Sequence, residues 1–147
     1  MRLVDPEETV IVVVGTTPAA AEHDRRHAER IREEIDRRGA GQPWRRAVVV
    51  SDEQYFLAGT LMSSTVVVIG GPGSNAVAAH YADSTPTVYA QEDRFWVQAD
   101  FDGAPRRVSL WGVNRAATAE AVSAFVERGY LDELLERIWR VRPGMVM

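Results

Sequence analysis

The chain has 147 residues, 46% of them apolar, and a net charge of −4, values that fit one globular domain able to bury a core without cross-links. It contains no cysteine, which excludes disulfides, thiolate metal sites and cysteine nucleophiles. Every basic residue is arginine, and the arginines are mostly interleaved with acids, as between Arg25 and Arg38; mixed charge of this kind reads as a solvated helix face and leaves no nucleic-acid footprint.

Taken in chain order, residues 1–8 are charged and lack the apolar stretch of a signal peptide. No apolar run approaches the roughly 20 residues that span a bilayer, so a cytoplasmic protein without a membrane partner is expected. Three β-branched runs follow: Val10–Val14, Ala47–Val50 and Val66–Ile69. Nearly uninterrupted runs of this length suit strands buried on both faces of a parallel sheet. Between the first two, Thr17 can cap a helix and Pro18 suits its first position. Ala28, Ile31 and Ile35 form its apolar stripe, with Asp24, Arg25, Glu29, Arg32 and Glu33 read as largely outside it. Gly39 and Gly41 end this helix, and strand–helix–strand order implies a right-handed crossover.

Residues 52–62 suggest a second, short helix with Tyr55, Phe56 and Leu57 inward. Ser74 or Asn75 can cap a third helix, running to about Tyr81. A short strand over 87–89 follows Pro86. Residues 94–101 and 106–111 then form a hairpin around Asp102-Gly103, a good turn pair. Ala117, Ala121, Val122 and Phe125 mark an amphipathic helix broken by Gly129, and Leu131, Leu134, Leu135 and Ile138 mark a last one before a frayed tail from Val141. The expected architecture is a single α/β domain: a three-layer Rossmann-like or flavodoxin-like parallel sheet with an antiparallel hairpin at one edge.

In such sheets ligands lie beyond the carboxyl ends of the strands, which singles out three loops. Gly70-Gly71-Pro72-Gly73-Ser74-Asn75 joins a buried strand to a helix. Glycines there allow close backbone approach to a ligand, and a helix N-terminus favours anions; a tight capped turn is the competing reading. The glycine spacing is not that of a dinucleotide fingerprint, and without lysine it is no Walker loop. Gly15-Thr16-Thr17 could hold a phosphate or carboxylate, although capping by Thr17 is the simpler role. At Ser51-Asp52-Glu53 the carboxylates could bind ribose hydroxyls, act as acid or base, or hold a divalent ion, although capping of the next helix is the simpler role. The candidate ligand-binding set is therefore Gly15, Thr16, Asp52, Gly71, Ser74 and Asn75, with Asp52 and Glu53 as the candidate catalytic pair. His23 and His27, four apart, lack a third ligand, so no metal and no cofactor are expected. His80, on the helix after the glycine loop, lies nearer a cleft.

One longer pattern carries a resemblance. Ile69-Gly70-Gly71-Pro72-Gly73-Ser74-Asn75-Ala76-Val77-Ala78-Ala79, followed by Gly112, Thr118 and Ala121 at matching spacing, resembles the GGPxxN…GxxxxxTxxA pattern of archaeal S-layer-type domains over residues 68–125. The resemblance implies that the two loops pack together as a structural unit, without catalysis. At fold level the chain is also similar to nucleoside-processing Rossmann-like domains.

Two functional expectations result. The first is binding of a small anionic metabolite or nucleotide at the strand ends. The second is a non-catalytic interaction module that forms a homo-oligomer, most simply a dimer. The hairpin carries Phe95, Trp96, Phe101 and Trp111; Phe95 and Trp96 must face opposite sides of a strand, so one needs a cover, either Leu135 and Trp139 or a partner chain.

Overall fold

The computed structural model describes residues 7–40 and 42–139. Gly41 and the tail from Val141 lie outside the described residues.

The three valine-rich runs form β1 (Val10–Val14), β2 (Ala47–Ser51) and β3 (Thr65–Ile69). β1 pairs in parallel with β2 and β3, with Val12 opposite Val49 and Val67. Every residue of β1 and β3 is buried, because helices cover both faces of this part of the sheet. Among the described residues the sheet has six strands in the order β2-β1-β3-β6-β5-β4, where β4 is Thr87–Gln91, β5 Phe95–Asp100 and β6 Arg107–Gly112. β6 runs parallel to β3, whereas β5 is antiparallel to both β6 and β4. The fold is thus α/β with a mixed, mostly parallel sheet and an antiparallel edge. The short strand after Pro86 forms the outer rim, and the second strand of the hairpin belongs to the parallel part.

On one face lie α1 (Pro18–Arg38), α4 (Arg115–Glu127) and α5 (Tyr130–Ile138), packed on Val10, Val12, Val67 and Ile69. On the other lie α2 (Asp52–Leu57) and α3 (Ala76–Tyr81), packed on Ile11, Val13, Val66 and Val68. Alternate residues of each strand thus feed two separate cores. Thr17 caps α1 through Ala20 N, with Pro18 in the first turn, and Ser51 caps α2 in a reciprocal box with Gln54.

The second helix is shorter than expected and gives way to a 3-10 turn over Gly59–Ser63. Tyr55 is fully buried and its hydroxyl pairs with that of Tyr81 at 2.9 Å. Phe56 and Leu57 are exposed, since three consecutive helical residues span some 200° of the helix surface and cannot all face one core. Among the described residues no helix is long and apolar enough to cross a membrane.

Candidate functional site

The carboxyl ends of β1, β3 and β6 are drawn together by backbone contacts that only small residues permit. A Cβ on Gly15 would overlap the Ser74 carbonyl oxygen, so the loop after β1 rests directly on the loop after β3. Gly70 has φ +109°, a conformation favouring glycine, and a Cβ there would sit 3.0 Å from Asp24 Oδ2 and 3.2 Å from Ser74 Oγ. Gly71 lies against Trp111, and Gly112 donates its N–H to Thr118 Oγ1 at 3.1 Å. The loops Gly70–Asn75 and Gly112–Asn114 are therefore neighbours, as β3–β6 pairing requires.

Between them and the start of α1 is a cleft of about 200 Å³. Thr17, His23 and Asp24 line one wall, Gly70, Gly71 and Ser74 a second, and Arg115 and Thr118 at the start of α4 a third. Asp24 is the unusual member. It is only 8% exposed, yet among the described residues no hydrogen bond or ion pair reaches its carboxylate. Burial raises its pKa above the ordinary aspartate value, opposed by the nearby His23. Arg115 Nη1 lies 3.1 Å from His23 Nδ1. A guanidinium can only donate, so in this contact Nδ1 is the acceptor. Arg115 is exposed at the rim and has no carboxylate partner among the described residues.

The candidates named from the sequence divide into two groups. Gly71 and Ser74 line this cleft, and Gly15 forms the backbone contact beneath it. Thr16, Asp52 and Asn75 hold the loops from the opposite side. Asp52 is buried; its Oδ1 accepts from Thr16 Oγ1 at 2.6 Å and from Glu53 N at 2.9 Å, and its Oδ2 accepts from Ala76 N at 2.9 Å. Asn75 is also fully engaged. Its Nδ2 donates to the Val13 and Ile69 carbonyls, and its Oδ1 accepts from Val77 N and Ala78 N. Glu53 is exposed in the first turn of α2.

Compared with known proteins, the chain matches no family model and no curated sequence.

Asp24, His23 and Arg115 were not among the candidate ligand residues. For Asp24 the signal was present: it stands four residues from both Ala20 and Ala28, on the buried stripe itself. His23 and His27 are half-buried, and burial, with Arg26 and Arg30 nearby, lowers the pKa of His27. Among the described residues no three histidines, aspartates or glutamates gather as metal ligands would. His80 is exposed and packs edge-on against Phe56 and Tyr81, away from the cleft.

Two other hollows are larger. One of about 310 Å³ lies between β4 and α4, and one of about 480 Å³ lies against Arg38, Arg45 and Trp139. Both are more open; Glu120 in the first pairs with Arg94 outside it, and in the second Arg38 pairs with Asp132 and Arg45 with Glu8. The cleft at Asp24 is distinguished by a carboxylate on a residue only 8% exposed that has no hydrogen bond among the described residues.

Proposed function

We propose that the protein binds a small anionic metabolite in the cleft at the carboxyl ends of β1, β3 and β6. The observation that carries this reading is the convergence of the N-terminal ends of α1 and α4, the Gly70-Gly71 turn and Arg115, which has no carboxylate partner among the described residues, on one concave site. Helix N-termini and an arginine both favour negative charge. The strand order β2-β1-β3 supports a flavodoxin-like reading of the first half, in which the gap between β1 and β3 is the switch point where ligands lie. A volume of about 200 Å³ is below the usual range for drug-sized ligands and favours a small metabolite over a whole nucleotide.

The reading is tested by thermal unfolding with inorganic phosphate, propionate, glycerate and serine as probes. A ligand that binds only the folded state raises the melting temperature with its concentration. Arg115→Gln should weaken binding by about tenfold, the loss of one charge-assisted contact. No stabilisation by any of the four probes would count against the cleft as a binding site.

A second reading, a homo-oligomerising interaction module, is favoured by the stack of Trp96 on Trp111. Their ring centroids are 4.3 Å apart, and both rings are half-buried on the sheet face opposite α4. Leu135 and Trp139 do not cover them, because both belong to the core beneath Phe95 on the other face.

A further inference from the structure

The cleft holds an electrostatic contradiction that constrains its ligand. Arg115 and the two helix ends attract an anion, yet Asp24 places a carboxylate in the same cleft. Burying a polar group without a partner is costly, so such groups are normally hydrogen-bonded. Asp24 has no such bond among the described residues although the residue is more than nine-tenths buried; its carboxylate oxygens are not sealed in the core and are open to the cleft that Asp24 lines. The turn beside it is also shaped around this carboxylate, since a side chain at Gly70 would press on Oδ2. A simple anion would satisfy Arg115 and meet repulsion from Asp24. A ligand bearing both an anionic group and a hydrogen-bond donor would satisfy both.

Building on the binding function proposed above, we infer that Asp24 is the specificity-determining residue of the cleft, and that its ligands are small hydroxy or amino acids. The carboxylate of such a ligand meets Arg115 and the start of α4, while its hydroxyl or ammonium group donates to Asp24. The cleft volume of about 200 Å³ lies below the range of sites for drug-sized ligands, which suits a small acid. Ser74 and Thr118, whose hydroxyls line the same walls, are placed to complete the polar contacts. A site built to hydrogen-bond a donor rejects the analogue lacking it, because its own polar group is then left unpaired.

Calorimetric titration of the full chain at neutral pH with glycerate, serine, propionate and inorganic phosphate tests this. The parent protein should prefer glycerate or serine over propionate by at least about tenfold. In Asp24→Ala that preference should fall to within about twofold, with propionate and phosphate binding as tightly as in the parent or more so. Asp24→Asn, nearly isosteric, serves as the second variant and should lose the preference for serine, whose ammonium needs a full carboxylate. Equal binding of propionate and glycerate by the parent would overturn the role of Asp24 and leave the cleft reading standing, as would preference retained in both variants. Failure of all four probes to bind would remove both.

Discussion

Asp24 makes a claim that can be read without any ligand. Its pKa is raised by burial, so the folded state holds the proton more tightly than the unfolded chain does. By linkage, the stability associated with this group is fully present below the unfolded value of 3.8 and is lost as pH rises through the folded pKa. The titratable group beside it is His23 on α1; Arg115 on α4 lines the same cleft, and the 70–75 loop carries no charged side chain. Asp24→Asn should therefore be more stable than the parent at neutral pH, and the difference should shrink as pH falls toward 3.8. Urea unfolding across that interval measures it. A less stable variant at neutral pH would mean that the carboxylate has a structural partner. At the same scale, Gly71 is a poor place to block the cleft, since an added Cβ would lie 2.9 Å from Trp111 and disturb the sheet face as well as the loop.

Among the elements, α3 shows how much a single cap can organise. Asn75 joins the start of this helix to the Val13 carbonyl of β1 and the last carbonyl of β3 in one side chain. Asn75→Ala removes the cap and leaves two buried carbonyls without this donor, a cost of about 3 kcal/mol. Asn75→Asp keeps the cap but cannot donate, so it should recover little of that loss; full recovery would show that the carbonyl contacts contribute nothing. This cap was legible in the sequence as an asparagine before an apolar helix, and so were Thr17 and the valine runs, because capping and strand burial depend on local residue type. Asp24 was not recognised, because a charge in an Arg- and Glu-rich helix reads as solvated even where its spacing puts it on the apolar stripe. Phe56 and Leu57 were misplaced for the complementary reason: apolar identity does not decide facing when the helix is only six residues long. The place of β4 at the rim depends on pairing across the whole sheet, which no local pattern encodes.

At the scale of the whole molecule, helices cover both faces of β1 and β3, while the tryptophan stack lies on the face of β5 and β6 turned away from α4. The stack is fixed internally as well, since Trp111 Nε1 donates to Gln98 Oε1 at 2.9 Å. If this surface is an interface between two copies, the parent should sediment as a dimer at micromolar concentration and Trp96→Arg as a monomer. A parent that is already monomeric, or a variant of unchanged mass, would make the stack an intrachain contact alone. Neither result bears on the cleft, which Trp111 adjoins through Gly71 and its neighbour Gly112. The central claim, that a small acid binds where β1, β3 and β6 end, is tested most directly by following backbone amide resonances during titration with glycerate. Shifts concentrated at Gly70, Gly71, Ser74 and residues 115–118 are expected, with those of β4 and α5 unmoved. Shifts centred on Trp96 and Trp111, or none at saturating glycerate, would contradict it.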